Sequence, residues 1–297
     1  MSLTQETELS GAGAASRPAP AAWRRRHPQM LLLIVPALLL LLVVFDYPLL
    51  KTMYWSVLDE DTGRLTFQHF REFWDSAAYL KVIGRTLRIA ATVTAVTVLL
   101  GYPLAYWASR LSPGLRYLVL GLVVTTFWVS ILVRTYAWIV ILGSSGVVNR
   151  GLLAAGLVEK PVQFLYNEVG IVIGMVNVLL PFLVLPLYAA MVRIDPRLMQ
   201  VAQTMGAGPG RVFWQVFFPL SVPALMTSAI LVFILSLGFY ITPAVLGGGK
   251  VPLVANMMDM LINRIANWNM AAVVSVVLLA MTLSLYFIYQ RLRERQG

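Results

Sequence analysis

The residues of this chain that could do chemistry are few and far apart. The sequence holds no cysteine and two histidines, His27 and His69, so it predicts neither a thiolate nucleophile nor a metal cluster. It contains no Ser-His-Asp set, pair of catalytic carboxylates or H-E-x-x-H motif. The glycine-rich run 247–250 lacks the earlier glycine and the following Ser or Thr of a phosphate loop. The sequence therefore predicts no catalytic residue, no metal site and no cofactor bound by this chain.

The composition is that of a membrane protein. Hydrophobic residues make up 59% of the 297 residues and charged residues 12%, about half the charged fraction of a soluble domain. Six apolar runs are each long enough to cross a bilayer, and their apolar residues are continuous rather than alternating, which favours helices over barrel strands. The sequence predicts an all-α integral membrane protein with six transmembrane helices in a domain over 29–291. The predicted spans are 29–50, 83–109, 116–141, 168–191, 221–246 and 269–290.

The distribution of arginine predicts the orientation. Basic residues outnumber acidic residues in both tails, in the 110–116 turn and in the 193–219 segment, which places these parts in the cytoplasm. The tails are predicted at 1–28, as a disordered segment, and at 292–297. No small-residue cleavage site follows the first apolar run, so we expect an uncleaved first span. The net charge of +10 is interpreted as topogenic arginine, and no nucleic-acid partner is predicted.

Two further features carry structural expectations. The outer segment 53–80 alternates aromatic and charged residues and is predicted to form short helices at the membrane surface. Gly170 and Gly174 form a G-x-x-x-G pattern, which allows close helix packing.

A polar helix-turn-helix is predicted between the fourth and fifth spans. Asp195 followed by Pro196 reads as an N-cap with proline at the first helical position. Gly206 and the glycine and proline residues after it end that helix, and a second short helix is predicted over 211–218, before Pro219. We call the whole segment the 193–219 loop. A compact element of this kind between two spans is suited to contact with another protein.

The 193–219 loop resembles the EAA loop of permease subunits of binding-protein-dependent ABC importers. Gln200-Val201-Ala202 stands at the opening triplet, Gly206 at the glycine, and 216–219 at the closing motif, with nine residues between Gly206 and Val216. Gln200 replaces the family's glutamate. The resemblance implies a type I ABC importer permease fold, with this loop coupled to a cytoplasmic ATPase. The residues to which it assigns coupling are Gln200, Ala202, Gly206, Ala207, Pro209, Phe213 and Pro219.

Two further motifs are similar to those of the spermidine/putrescine branch, and within it to the first of two permeases. They are the run 134–138 followed by Gly146 and Asn149, and the run 237–248. The resemblance implies a bacterial inner membrane protein that imports polyamines. It also implies four kinds of partner: a second homologous permease, two ATPase subunits that bind ATP and Mg, an outer solute-binding protein and the lipid bilayer. The acidic residues 59–61, with Glu72 and Asp75, are expected near the binding protein.

Aromatic and oxygen-bearing residues are the candidates for the solute pathway. Phe233, Ser236 and Tyr240 are predicted to share one helix face, where rings attract ammonium groups and oxygens accept their hydrogen bonds. Asp259 is the acidic candidate at the outer mouth. Packing or lipid contact is the alternative for each residue. The candidates are Trp138, Phe233, Ser236, Phe239, Tyr240, Thr242 and Asp259.

Three questions stay open at this point. The first is whether the solute is a polyamine or another small zwitterionic or amino-acid-like molecule. The second is whether the chain is instead an ATP-independent facilitator or a membrane enzyme. The third concerns Arg134, which would repel a cation and is expected either to pair with Glu168 or to cap a carbonyl group.

Overall fold

The computed structural model describes residues 27–59 and 63–294. Of the predicted tails, 1–26 and 295–297 lie outside the described residues, whereas 27–28 and 292–294 are helical. The helices are α1 (His27–Leu41), α2 (Tyr47–Ser56), α3 (Gln68–Asp75), α4 (Ala77–Arg110), α5 (Pro113–Trp128), α6 (Ile131–Leu142), α7 (Val147–Ala154), α8 (Glu168–Met191), α9 (Pro196–Thr204), α10 (Pro209–Val212), α11 (Phe218–Leu237), α12 (Ile241–Leu246), α13 (Val254–Asn263) and α14 (Trp268–Glu294).

The chain divides into two units, Met1–Lys51 and Thr52–Gly297. The first unit contains α1, a π-helical turn at Leu42–Asp46 and the beginning of α2. Within the described residues, six helical segments are long and apolar enough to cross a membrane, as the sequence predicted. They are Ile34–Ser56, Ala77–Arg110, Ile131–Ala154, Glu168–Met191, Pro209–Leu237 and Trp268–Arg291.

The core of the second unit is built on α8, which packs against α4 and α11. Apart from Glu168 in its first turn, α8 carries no charged residue, and a helix that is apolar all round is suited to burial on every side. Leu179, Leu183 and Leu187 are at most 1% exposed. Gly101 of α4 faces Leu183 so closely that an added Cβ would lie 2.5 Å from its Cδ2 atom. Small residues on α4 therefore allow the two backbones to approach.

The third predicted span, 116–141, is interrupted. The structure ends α5 at Trp128 and begins α6 at Ile131, with Val129 in an extended conformation between them. The hydropathy of the run gave no sign of this break, because both helices are apolar. Arg134 accounts for it physically: its Nη2 atom donates a hydrogen bond to the carbonyl oxygen of Val129, 3.0 Å away, which satisfies a backbone group that the break leaves unpaired.

The fifth predicted span, 221–246, is also divided. It begins earlier than predicted, since a continuous helix runs over Pro209–Leu237, and it ends at Gly238, before α12. Pro243 explains the second helix. A proline in a helix interior removes one backbone hydrogen bond and clashes with the carbonyl four residues earlier, but it is tolerated in a first turn. Pro243 lies in the first turn of α12.

The outer segment 53–80 contains the predicted short helix, α3. Phe73 of α3 is fully buried, with its ring stacked 5.6 Å from that of Tyr79. It belongs to a cluster with apolar residues of α13 and α14, including Val254 and Met257. The side chain of Thr86 in α4 accepts a hydrogen bond from the backbone N–H of Val254 at 3.0 Å. The helices α3 and α13 are therefore held against the membrane helices.

The two glycines of the G-x-x-x-G pattern lie at close contacts, although their partners are not another transmembrane helix. An added Cβ at Gly174 would lie 2.5 Å from Leu246 Cδ1 and 2.6 Å from Thr242 Cγ2, both in α12. An added Cβ at Gly170 would collide with the backbone carbonyl oxygen of Phe164. The pattern thus fits α8 to the short helix α12 and to the loop before α8.

We predict that Gly170→Ala destabilises the purified chain by about 1–3 kcal/mol, the usual cost of overpacking, because the obstacle is backbone and cannot rotate away. The matched control is Gly121→Ala in α5, where an added Cβ meets no atom within 4 Å and alanine favours the helix. Thermal unfolding in detergent, followed by circular dichroism, measures both variants. Equal midpoints would contradict the close contact.

Candidate functional site

The first helix of the 193–219 loop begins as predicted. The side chain of Asp195 accepts a hydrogen bond from the backbone N–H of Arg197 at 2.9 Å, and Pro196 occupies the first helical position. The carboxylate satisfies one of the donors that every helix start leaves unpaired, and its charge interacts favourably with the helix dipole. This cap fixes where α9 begins after α8 ends at Met191.

The end of α9 is fixed by Gly206. Its φ angle is +86°, in the left-handed region that residues with a Cβ rarely adopt. The N–H of Gly206 donates to the carbonyl of Gln203 at 2.9 Å and the N–H of Ala207 to that of Ala202 at 3.0 Å. This pair of bonds is the Schellman motif, which closes a helix and turns the chain away from its axis.

The second helix of the loop is not a separate element, which corrects the helix predicted over 211–218. α10 continues through a π-helical turn at Phe213–Phe217 into α11 without a break. Pro219 has no N–H to donate, and a π turn shifts the hydrogen-bond register by one residue, so the helix can pass through the proline. The loop is therefore joined rigidly to the fifth transmembrane helix.

One face of α9 is apolar and exposed. Leu198 and Val201 are 47% and 57% exposed, and Met205, the residue directly after α9, is 82% exposed. Their i, i+3, i+7 spacing places them on one side of the helix. Met199 is buried and faces the rest of the protein. The predicted coupling residues divide between the two environments. Gln200, Gly206, Pro209 and Pro219 are exposed, whereas Ala202, Ala207 and Phe213 are half-buried.

Aromatic residues fasten the loop to the end of α4. The ring of Tyr106 lies 5.0 Å from the rings of both Phe213 and Phe217, with edge-to-face geometry. The Tyr102 hydroxyl lies 2.9 Å from the Ser221 hydroxyl. Phe213 was predicted only as a coupling residue, and the structure gives it a packing contact. Sequence reasoning missed the cluster, although its signal was present in two aromatic i, i+4 pairs at 102/106 and 213/217.

A second candidate region is a pocket of about 450 Å³ formed between the segment after α11 and the helix α13. This volume is within the range of small-molecule sites. Its polar lining includes two predicted pathway residues, Tyr240 and Asp259. It also includes Asn256 and Arg264, which the sequence analysis did not select. The lining is Tyr240, Pro243, Ala244, Gly248, Gly249, Val251, Pro252, Asn256, Asp259, Met260 and Arg264.

Tyr240 and Asp259 interact directly. The hydrogen bond from the Tyr240 hydroxyl to the Asp259 carboxylate raises the pKa of Tyr240 above its ordinary value, because the protonated phenol is the form that donates. The side-chain amide of Asn263 donates to Asp259 Oδ1 at 2.7 Å, and that of Asn256 donates to the Tyr240 carbonyl at 3.1 Å. Asp259 is thus held in place by two neighbours while its carboxylate borders the pocket.

The helix face predicted for Phe233, Ser236 and Tyr240 does not exist, because α11 ends at Leu237 and Tyr240 lies beyond it. Ser236 is fully buried and donates to the carbonyl of Val232 at 2.7 Å. Thr242 is fully buried as well, with its hydroxyl 3.5 Å from that of Thr135. The remaining candidates, Phe233, Phe239 and Trp138, are half-buried. The structure therefore brings Tyr240 and Asp259 together and separates them from Ser236.

The residues of the 134–149 motif have structural contacts. Asn149 is fully buried; its amide donates to the carbonyls of Gly143 and Val162 at 2.9 and 3.0 Å, and its Oδ1 accepts from the N–H of Val162 at 2.7 Å. An added Cβ at Gly146 would collide with backbone carbonyls at the end of α6. The motif shapes the turn between α6 and α7.

The alternatives for Arg134 are resolved by its contacts. It caps the Val129 carbonyl, as described above, whereas Glu168 forms an ion pair with Arg88 and lies 4.0 Å from Arg85. The predicted pairing of Arg134 with Glu168 is therefore wrong, and the carbonyl cap is confirmed. The Arg134 guanidinium therefore satisfies a backbone carbonyl group and does not pair with an acidic side chain.

The sequence and fold match known proteins. Residues 97–296 match the family described as binding-protein-dependent transport system inner membrane component. The spermidine/putrescine transport system permease protein PotB of Haemophilus influenzae is 36% identical over 215 residues, 72% of this chain and 74% of that protein. A putative 2-aminoethylphosphonate transport system permease protein, PhnU of Salmonella typhi, is 30% identical over 79% of this chain and 82% of its own length.

Among solved structures, a bacterial alginate ABC transporter in complex with an alginate pentasaccharide-bound periplasmic protein has a similar chain. The TM-score is 0.67 with 19% identity, covering 91% of this chain and 97% of that one. At this identity the likeness concerns the fold. Together with the six apolar helices, it shows the permease fold of type I importers. The chain belongs to the binding-protein-dependent transport system inner membrane components, and is an ABC importer permease of the multi-pass inner membrane class, a transport subunit and not an enzyme.

Proposed function

We propose that this permease forms half of the pathway through which an ATP-driven importer takes up a small cationic solute of the polyamine class, such as spermidine or putrescine. The observation that carries the proposal is α9: a helix capped at both ends, with the exposed apolar residues Leu198, Val201 and Met205 on one face. Exposed apolar patches of this kind mark contacts with other proteins. The loop is placed to receive the movement of an ATPase and pass it to α11.

The partners follow from the same proposal. The chain pairs with a second homologous permease, two cytoplasmic ATPase subunits and an outer solute-binding protein. ATP and Mg are bound by the ATPase, and this chain needs no cofactor. The similarity to a transporter solved with a periplasmic protein supports the binding protein. Both termini and the 193–219 loop face the cytoplasm in this arrangement, which the excess of arginine on that side supports.

In the coupling role, α9 binds in a cleft of the ATPase. Leu198, Val201 and Met205 supply the apolar contact, and the Gln200 amide supplies a hydrogen bond where the family has a carboxylate. Ala202, Ala207 and Pro209 shape the loop. Phe213 contacts the ring of Tyr106 and so links the loop to α4. Pro219 lies in the first turn of α11, where the loop continues into the membrane helix.

In the solute pathway, Asp259 and Tyr240 supply a carboxylate and a ring to an ammonium group at the outer mouth. The names of the PotB relatives support a polyamine. Phe233, Phe239 and Trp138 supply aromatic surface deeper in the path, and Ser236 and Thr242 support the helices that line it.

One observation favours a second solute class. Arg264 lines the same pocket as Asp259, so the pocket offers both a cation and an anion, which suits a zwitterion. The 30% identical relative named for 2-aminoethylphosphonate transport supports that alternative. The polyamine and zwitterion alternatives differ in which solute should stimulate ATP hydrolysis by the complete complex.

We predict that Gly206→Arg abolishes uptake and leaves membrane insertion intact. Its φ of +86° costs a residue with a Cβ roughly 1–2 kcal/mol, and the arginine side chain projects at the ATPase surface. Gly206→Asn is the matched control, because asparagine tolerates this conformation, and it should keep most of the co-purified ATPase. Full uptake with undiminished complex in the arginine variant would contradict the coupling role.

We predict that Asp259→Asn weakens the apparent affinity for a cationic solute roughly five- to thirty-fold, since one attractive charge is lost in a partly desolvated mouth. Uptake at graded solute concentrations measures this. Glu159→Gln is the control, because Glu159 is an exposed carboxylate in the loop between α7 and α8. If the wild type, Asp259→Asn and the control variant have equal apparent affinities, Asp259 has a packing role and does not bind the solute.

The same substitution should change the titration of Tyr240. The wild-type phenol keeps its proton to higher pH than an ordinary tyrosine, so its bond to Asp259 holds below the raised pKa and is lost above it. Asp259→Asn should lower the pKa of Tyr240 towards its ordinary value of 10.0. The ultraviolet difference titration against Tyr240→Phe isolates this one group.

We predict that the complete complex in liposomes hydrolyses ATP faster when spermidine or putrescine and the binding protein are supplied. Stimulation by 2-aminoethylphosphonate in place of polyamines would select the zwitterion alternative. Liposomes that contain this chain alone should show no uptake of labelled polyamine. Uptake by the chain alone, without ATP, would overturn the importer proposal in favour of a facilitator.

A further inference from the structure

Arg110, the last residue of α4, makes three contacts with side chains around the 193–219 loop. Its Nη2 atom lies 3.0 Å from the sulfur of Met199 in α9. Its guanidinium carbon lies 5.4 Å from the ring centroid of Tyr106 and 5.2 Å from that of Phe217. Both distances are within the range of cation–π attraction. We call these four residues the Arg110 clamp.

The clamp is more than a charge that sets membrane topology. A topogenic arginine needs only to lie in the cytoplasm, where water solvates it. Arg116, in the same turn, makes a local contact instead: its Nη2 donates to the backbone carbonyl of Leu111 at 3.0 Å. A planar guanidinium stacks on rings and donates at its edge at once, which the ammonium of lysine cannot do.

The clamp joins elements that the chain does not connect directly. α9 follows α8 in sequence and leads through α10 and the π turn into α11, so its movement reaches those two helices through the backbone. α4 lies about ninety residues earlier, with Arg110 and Met199 separated by 89 positions. Contact between α9 and α4 therefore depends on side chains. Met199 is the side chain that α9 contributes to the clamp.

We propose that Arg110 is a positioning residue that ties the coupling helix α9 to α4, so that the stroke of the ATPase moves α4 together with α11. The proposal rests on the coupling role proposed for α9. α4 and α11 both pack against α8, so moving them together rearranges the core as one body. Without the clamp, α9 loses this contact with α4, so its movement reaches α4 less directly and less solute is taken up per ATP hydrolysed.

The functional test uses the complete complex in liposomes and compares solute taken up per ATP hydrolysed. Arg110→Gln should lower this ratio about ten-fold, the size expected from the loss of two cation–π contacts and one hydrogen bond. Arg110→Lys keeps the charge but not the planar stack, so its ratio should lie between those of the wild type and Arg110→Gln. Arg116→Gln is the matched control and should keep the wild-type ratio. An unchanged ratio in Arg110→Gln would overturn the proposal.

A structural test needs neither solute nor partners. The chain has no native cysteine, so spin labels at Ser112→Cys and Gln203→Cys, both exposed positions, report the distance between the end of α4 and α9. Arg110→Gln should broaden the distance distribution, and Arg116→Gln should not. An unchanged distribution means that Arg110 does not position α9. If Arg110→Gln broadens the distance distribution but solute does not stimulate ATP hydrolysis by the complete complex, the proposed function is wrong and the positioning role of Arg110 is supported.

Discussion

Backbone hydrogen bonding in an apolar environment is the constraint on which the rest of this structure depends. A break in a membrane helix leaves N–H and C=O groups that lipid cannot satisfy. Side chains bond to the backbone at both breaks described above: Arg134 bonds to the Val129 carbonyl, and Asn256 bonds to the Tyr240 carbonyl. Asn149 bonds to three backbone atoms around the turn between α6 and α7. These polar side chains, two of which belong to the family motif over 134–149, therefore stabilise an irregular backbone.

Those breaks position both candidate regions. The end of α11 at Leu237 frees the following segment to turn towards α13, which brings Tyr240 to Asp259. At the other end of α11 the helix is unbroken, because the π turn carries it through Pro219 from α10. The same helix is thus stiff where it meets the 193–219 loop and interrupted where it borders the pocket lined by Tyr240 and Asp259. A stiff connection suits the transmission of movement, and an interrupted one suits the formation of a pocket.

Much of the fold could be predicted from the sequence alone. The length and continuity of the apolar runs determined the membrane class and the six helices, because crossing a bilayer sets a minimum length for each. Local chemistry determined the 193–219 loop: Asp195 and Pro196 start a helix, and Gly206 adopts the conformation that ends it. The similarity of three motifs indicated the family. These features depend on residues close together in the chain, so a linear reading can find them.

The tertiary structure alone decided the breaks within the third and fifth spans and the contacts between distant residues. Hydropathy measures how apolar a segment is and carries no signal for a capped interruption, so 116–141 and 221–246 looked continuous. The Phe233, Ser236 and Tyr240 face failed for that reason. The pairing of Glu168 with Arg88, and of Arg110 with Met199, joins positions 80 and 89 residues apart. Such pairs follow from how α4 packs beside α8 and α9, because packing of helices and not spacing along the chain determines which side chains meet.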